Sequence, residues 1–360
     1  MFRAFAISPR IYLDHAATTP LRPEARAAME EGFRLWANPS SPHAEGRKAR
    51  ALLEDARERI KRALGWEGEL IFTSGASEAA ALALGGARGG KRMVSAVEHD
   101  AVIKSAPGAL ALPVGGSGLV DPDTLKQALT GETIPVVAVQ TINSETGAAQ
   151  DIAAVCETVH AAGGITIGDA SQSAGKCGSP LPSTMAIVSA HKFGGPIGIG
   201  ALLVRDFALL EPSGGHERGY RRGTENLPGA LGMAAALEAC GKPYLADGVG
   251  AAMDRFAADV RAAGGTWHAD RFAHPTGQIF AIAMPGLSAT AQVLRFDMAG
   301  ISVSQGSACA SGTMKRSRVL DALGVEPEVA DRTIRVSLGW NTTRAELDRF
   351  CEVWLGMARP

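Results

Sequence analysis

Short runs of aliphatic, mostly β-branched residues recur along this chain with helix-length spacers between them. They are Met93 to Val97, Ile134 to Ile142, Ile165 to Gly168, Ala186 to Ser189 and Ala201 to Val204. Runs so short and so uniformly apolar read as strands covered on both faces, and their alternation with helices points to an α/β fold with a mostly parallel sheet. Polar residues follow the runs directly: Glu98-His99-Asp100, Asn143-Ser144-Glu145, Asp169-Ala-Ser-Gln172 and Ser189-Ala-His-Lys192. In such sheets ligands bind at the carboxyl ends of the strands. Isolated capping residues would not need to converge on one edge, so four such clusters predict one site.

The segment Glu69 to Leu84 turns from a strand (Leu70 to Thr73) through Ser74-Gly75 into an Ala/Leu-rich helix. The free N–H groups of that first helical turn, near Ala76, with the Ser77 hydroxyl make an anion site, although a simple Ser cap has the same sequence. It is not a P-loop, because Gly-x4-Gly-Lys-Ser/Thr is missing. Upstream, a helix is expected from Pro23 to about Trp36 and another from about His43 to Leu64. The polar residues His15 and Asn38 lie in loops, where turn capping and ligand contact are equally open readings.

Lys192 sits where the Ala186 to Ser189 run gives way to glycines at 194, 195, 198 and 200. A lysine at the end of a buried strand is partly desolvated, which favours its free amine and hence a Schiff base with a carbonyl. A Gly- and Arg-rich loop, Gly214 to Asn226, carries Thr224 just before a helix expected over Pro228 to Cys240. It suits a second phosphate contact or a subunit interface. The pattern loosens around Gly241 to Val249. The expected organisation is an N-terminal segment 1–14 packing with a small domain, a large domain 15–245 and a small α+β domain 246–360. The small domain is expected to hold a helix 249–263, strand 278–284, helix 288–298, strand 301–303 and a closing helix after Thr343.

Two further signals lie in the small domain. Cys309 stands among small residues, Ser302 to Thr313, where a thiol is accessible, whereas Cys156, Cys177, Cys240 and Cys351 sit in helical or strand-edge contexts. Arg335 lies inside the apolar strand Thr333 to Leu338, where a guanidinium needs a carboxylate partner from either substrate or protein.

Composition excludes several classes. With 36 Lys plus Arg against 37 Asp plus Glu the chain carries no general attraction for nucleic acid. No apolar run approaches the length of a membrane span, and residues 1–10 lack a signal-peptide core. Five scattered cysteines without a Cys-x-x-Cys pair suit a reducing cytoplasm, and no intrinsic metal site is expected.

The strand-end set matches pyridoxal 5'-phosphate chemistry, in which the cofactor acts as an electron sink. Lys192 would hold the cofactor aldehyde and shuttle the substrate α-proton. Asp169 would pair with the pyridinium nitrogen, Gln172 with the ring hydroxylate, and His99 would stack on the ring. Ala76 N–H, Ser77, Ser189, His191 and Thr224 would hold the phosphate. Arg335, with Asn38, would clamp the substrate carboxylate, with His15 a further substrate-binding candidate, and Cys309 would be the nucleophile.

Ten motifs then fall in register: Leu13-Asp-His-Ala-Ala-Thr-Thr-Pro20, Asn38-Pro-Ser-Ser41, Phe72-Thr-Ser-Gly-Ala-Ser-Glu78, Glu98-His99, Glu145-Thr-Gly147, Asp169-Ala-Ser-Gln-Ser173, Ser189-Ala-His-Lys192, Arg222-Gly-Thr-Glu-Asn226, Gly306-Ser-Ala-Cys309 and Arg335-Val-Ser-Leu338. The chain resembles the NifS/IscS-type cysteine desulfurases, class V aminotransferases of the fold-type I pyridoxal phosphate architecture. The resemblance implies a large domain built on a seven-stranded, mostly parallel sheet and a smaller α+β C-terminal domain. It implies conversion of L-cysteine to L-alanine, with the sulfur left on Cys309 as a persulfide for an acceptor in iron–sulfur cluster assembly or tRNA thiolation. It also implies a homodimer in which Thr224 reaches the other subunit's phosphate, and a scaffold or acceptor protein as partner. Whether Cys309 transiently ligates an iron–sulfur cluster stays open. The Cys309 loop resembles the long-loop, group I members. Two positions depart from the family pattern: Ser144 stands where a cofactor-contacting Asn is usual, so that contact falls either to the shorter Ser144 hydroxyl or to Asn143, and Gln305 stands where Ser is common. A selenocysteine lyase or transaminase would share Lys192, Asp169 and His99 without requiring Cys309, and a silent cofactor-bound scaffold would require neither Lys192 nor Cys309.

Overall fold

The structure, a computed structural model, describes residues 10–178, 181–241, 243–306 and 316–358. Cys309 therefore lies outside the described residues. The chain divides into two units. One comprises Thr18–Asn143 and Ala149–Tyr244; the other gathers the N-terminal segment ending at Ala17, Ser144–Ala148 and the chain from Leu245 onward.

The first unit is built on a seven-stranded sheet. Its strands run, from edge to edge, Glu69–Thr73, Gly200–Val204, Met185–Ser189, Ile165–Asp169, Val136–Gln140, Arg92–Ser95 and Leu110–Leu112. Pairing is parallel from Met185–Ser189 through to Leu110–Leu112 and antiparallel on both sides of Gly200–Val204. Successive side chains of a strand face opposite ways. Ala186 and Val188 accordingly enter one core with Leu70, Phe72, Ala201 and Leu203, while Met185 and Ile187 enter the other with Ile71, Leu202 and Val204. The first core is roofed by the helices Pro23–Arg34, Ala44–Leu64 and Leu227–Glu238, the second by Ala76–Gly86. The last of the three roofing helices is buried almost all round, which is why its sequence shows no amphipathic period.

Two strands of this sheet are shorter than the sequence suggests. The Ile134 to Ile142 run forms a strand only over Val136–Gln140. Ile134 takes the left-handed region (φ 47°), which a β-branched residue tolerates poorly, and Pro135 lacks a ladder donor. The run starting at Met93 leaves the ladder after Ser95, and the Glu98 N–H turns back onto the Ser95 carbonyl.

The second unit holds an antiparallel sheet in the order Thr333–Ser337, Ile279–Ala283, Thr266–Trp267, and a parallel pair of Ile11–Tyr12 with Ile301–Ser302. Helices Val249–Ala262, Ala289–Met298 and Arg344–Ala358 pack on it through Phe256, Phe296, Phe350 and Trp354. Phe256 meets the rings of Trp267, Phe350 and Trp354 edge-on, at centroid separations of 6.1, 5.3 and 5.5 Å. Among the described residues, no helix is long and apolar enough to cross a membrane.

Candidate active site

In the seven-stranded unit the sheet register places most of the expected groups on one edge. Gly200 pairs with Thr73 on one side and Ser189 on the other, so the ends of three strands lie in one row. Asp169, the last residue of its strand, pairs with Gln140 and Ile187. Lys192 follows in a single helical turn, Ala190–Lys192, immediately beyond Ser189. His99 and Asn143 lie a few residues past the carboxyl ends of Arg92–Ser95 and Val136–Gln140. The edge thus carries Ser77, Lys192, Asp169, Gln172, Asn143 and His99 in the order their strands take across the sheet.

Each group is held by its neighbours. Past Thr73, Gly75 adopts φ 152° and ψ −174° and caps the 11-residue helix Ala76–Gly86. A side chain added at Gly75 would meet nothing within 4 Å, so space is open above that helix's free N–H groups and the exposed Ser77 hydroxyl. Gly200 presses on this turn from below: a Cβ there would come within 2.8 Å of Gly75 Cα.

Lys192 is half-buried, and its carbonyl accepts the Thr19 hydroxyl at 3.1 Å. The Nδ1 of His191 lies 3.1 Å from the Thr18 hydroxyl. Burial, with the Lys192 and Lys176 cations adding to it, pushes the His191 pKa down to about 4, so the ring is neutral at pH 7 and offers one N–H. The positive charge of Lys176 makes this end of the sheet favourable to an anion. Asp169 Oδ1 accepts the Ser171 N–H at 2.9 Å. Asn143, almost fully buried, donates from Nδ2 to the Val97 carbonyl at 3.2 Å. His99 caps the helix Asp100–Ser105 by accepting the Ala101 N–H on Nδ1, while the ring is exposed. Thr224 is exposed on the Gly/Arg-rich loop, and Asn38 is exposed with Oδ1 accepting the Ser40 N–H at 2.8 Å. A cleft of about 480 Å³ lies beside that loop, lined by Ser40, Arg57, His216, Glu217 and Glu225; it contains no strand-end group and so is not where the chemistry is expected.

These residues fit pyridoxal phosphate. The glycine turn leaves room for a phosphate over a helix N-terminus. The Asp169 carboxylate suits a ring nitrogen, and Lys192 suits an aldehyde.

The remaining candidates belong to the second unit. Arg335, 4 % exposed, sits mid-strand opposite Ala281. Its Nη2 donates to Asp14 Oδ1 at 2.7 Å and its Nη1 to the Ser144 carbonyl at 3.0 Å, leaving Nε with no hydrogen-bond partner among the described residues. The sequence left open whether this guanidinium takes a protein or a substrate carboxylate; two of its nitrogens are engaged within the fold. Ser144 meets Arg335 through its backbone oxygen. His15 is 1 % exposed, packed so tightly on Gly339 that a Cβ there would fall 1.9 Å from its Nδ1, with Nε2 3.5 Å from the Thr342 hydroxyl. The carboxylate of Glu145 accepts the Ser317 hydroxyl at 2.5 Å and would lie 3.3 Å from a Cβ at Gly306. It therefore touches described residues on both sides of the Cys309 segment.

Cys156, Cys240 and Cys351 are poor nucleophiles. Burial raises the thiol pKa of Cys156 and Cys240, and it pushes Cys351 up to about 12 with help from Asp348 and Asp259. The sequence motifs include Thr18, Thr19 and Glu98 without giving them a role, and they leave out Lys176: Thr18 and Thr19 stand behind the lysine turn, Lys176 against Gln172, and Glu98 Oε1 accepts the Gln140 N–H at 2.7 Å. A charged residue directly after the small residues Ser173-Ala174-Gly175 was the available signal for Lys176.

Comparison with known proteins gives concordant matches. The aminotransferase class-V family profile matches residues 11–350. A cysteine desulfurase of Cereibacter sphaeroides is 36 % identical over 374 residues, covering 96 % of this chain and 94 % of that protein. A solved NifS-like protein superposes with a TM-score of 0.86 at 26 % identity, covering 97 % of this chain and 99 % of the other. A structure described as SspA in complex with cysteine reaches a TM-score of 0.77 at 28 % identity, over 92 % of this chain and 100 % of that one.

Proposed function

The chain belongs to the class-V aminotransferase family, and we propose that it is a pyridoxal-phosphate-dependent cysteine desulfurase that turns L-cysteine into L-alanine and keeps the sulfur on Cys309. The observation that carries this reading is Lys192, held one turn past a buried strand next to the strand that ends in Asp169, in a chain that also keeps Cys309.

The helix turn at Ala76 with Ser77, Ser189 and the neutral His191 would hold the cofactor phosphate. Asp169 would pair with the ring nitrogen, Gln172 would donate to the ring hydroxyl, Asn143 would contact the ring's edge and His99 its face. Bound there, the cofactor supplies the electron sink that makes the amino-acid α-proton acidic. Lys192 then takes that proton from the α-carbon and returns it as the base and acid of the reaction. The substrate carboxylate is held at the Arg335 fork, with Asn38 and His15 as further contacts. Cys309 thiolate bonds to the substrate sulfur as the carbon–sulfur bond breaks. The balance is closed: cysteine plus the enzyme thiol gives alanine plus the enzyme persulfide, the thiol hydrogen ending on alanine.

In this reading the protein works as a homodimer, with Thr224 reaching the neighbouring subunit's phosphate. The persulfide passes to a sulfur-acceptor or scaffold protein, and the scattered thiols favour the reducing cytoplasm as the compartment. Incubating the purified, cofactor-loaded protein with L-cysteine tests the chemistry. Alanine and Cys309 persulfide are expected in equal amounts, with both lost in Cys309→Ser while the cofactor stays bound. Alanine formed at the same rate by Cys309→Ser, or absent from the wild type, overturns the reading.

A further inference from the structure

Behind the site lies a buried contact whose chemistry has only one arrangement. Lys176 Nζ donates to Gln172 Oε1 at 2.9 Å, with Lys176 9 % and Gln172 3 % exposed. An ammonium has donors only. The opposite amide orientation would set two donors against each other, so Gln172 must present its oxygen to Lys176 and turn its NH2 end away.

The backbone fixes the pair as well. The Lys176 N–H closes a turn on the Ser173 carbonyl at 2.9 Å. Gly175 before it takes φ 71°, and a Cβ there would meet Cys240 Sγ at 2.8 Å. The ammonium also lies 6.0 Å from the centroid of the Tyr244 ring. Among the described residues, titratable or charged groups on this side include His191, Lys192, Cys240 and Arg22, whose Nε donates to the Phe193 carbonyl.

From this geometry we infer that Lys176 is a positioning residue: by holding the Gln172 amide oxygen it sets the NH2 end as the one that meets the cofactor ring hydroxyl, and it polarises that amide toward the ionised form of the hydroxyl. This rests on the proposed role of Gln172. A cation on the amide oxygen strengthens the N–H donors at the other end, because hydrogen bonds in series polarise one another. Lys176 thus acts on the ring through a neutral group.

The readout is the visible absorption band of the cofactor-loaded protein, titrated with pH, together with the cofactor dissociation constant from fluorescence quenching. Lys176→Met is expected to raise the titration midpoint by about one unit and the dissociation constant by about tenfold. Lys176→Arg, which keeps donor and charge, is expected to restore most of both. Gln172→Leu should shift the midpoint in the same direction, and adding Lys176→Met to it should do nothing more. A midpoint unmoved by Gln172→Leu overturns the Gln172 reading itself. A midpoint moved by Gln172→Leu but not by Lys176→Met overturns the inference about Lys176 alone. A further shift in the double variant would mean that Lys176 acts by its charge at a distance, which overturns it too. Should Lys176→Met not fold, Lys176→Gln keeps a donor without charge and is expected to give a partial shift, no shift refuting the polarisation.

Discussion

Arg335 and Asp14 are 321 residues apart in sequence, yet Arg335 Nη2 donates to Asp14 Oδ1 at 2.7 Å inside one unit. The partner occupies one face of the guanidinium fork and Ser144 carbonyl another, and Nε stays unsatisfied among the described residues. A buried arginine with an unused donor is poised for one more acceptor, and the Asp14 pair fixes its plane. Arg335→Lys should lose the fork, worth about 1.5–3 kcal/mol, and raise the KM for L-cysteine about 10- to 100-fold with kcat little changed. Steady-state kinetics decide. A lower stability with KM unmoved would make Arg335 purely a structural partner of Asp14.

Gly75 and Gly200 touch the same turn but should fail differently. Gly75→Ala adds a Cβ into open space, so the apo protein loses only about 1 kcal/mol from a backbone conformation that favours glycine. The same methyl occupies the space over the helix N-terminus, and the cofactor dissociation constant should rise at least about tenfold, about 1.4 kcal/mol. Gly200→Ala drives a Cβ to 2.6 Å from the Val188 carbonyl oxygen and 2.8 Å from Gly75 Cα, both backbone atoms that cannot swing away. It should lose about 2–3 kcal/mol of stability before any cofactor is added. Urea unfolding of the apo proteins and fluorescence titration separate the two; equal effects would show that the turn is not a ligand cradle.

The parts of this site that could be read from sequence are those that local periodicity and strand ends determine. The run Ala186 to Ser189 announces a strand, and whatever follows such a strand must emerge at its carboxyl end, so Lys192 and Asp169 were legible without a fold. The supports were not. Lys176 on Gln172 depends on a turn shaped by Gly175 against Cys240, 65 residues downstream, and Arg335 on Asp14 depends on a pairing across most of the chain. The edge strand Leu110–Leu112 was missed because it has three residues, two of them exposed. The end of the Ile134 run was misjudged because hydrophobicity does not report the left-handed φ at Ile134.

Glu217 and Arg57 form a buried ion pair away from the strand-end residues. The two guanidinium nitrogens lie 2.8 and 3.1 Å from the two carboxylate oxygens, and Glu217 Oε2 also accepts the Phe72 N–H at 2.8 Å. Arg57 is 2 % exposed. Glu217→Gln leaves the buried guanidinium with the part-exposed Glu54, whose Oε2 accepts its Nε at 3.1 Å, as its remaining carboxylate, and should lower stability by at most about 3–5 kcal/mol, with L-cysteine turnover per folded molecule unchanged. Replacing both, Arg57→Met with Glu217→Leu, should recover much of the loss, since the pair's desolvation then disappears as well. A double variant as unstable as the single would mean that the Phe72 N–H contact, not the charge, is what Glu217 supplies.

His268 should set part of the acid limit of the fold. It is 1 % exposed, with Nε2 3.0 Å from the Thr333 hydroxyl, and burial, aided by the Arg271 cation, pushes its pKa down to about 4. The unfolded chain binds this proton below about pH 6.5, whereas the folded one does not until about pH 4. Between those values the unfolded state holds more protons, so stability is complete above the upper value and falls as pH drops toward the lower one. At pH 5 the loss from this group is on the order of 2 kcal/mol. His191, shifted in the same direction, adds to it. His268→Gln keeps a polar group against Thr333 but does not titrate. It should start somewhat less stable at pH 7.5 and lose less on going to pH 5 than the wild type does. Urea unfolding at both pH values measures this, and parallel losses in the two proteins would assign the acid sensitivity to other groups.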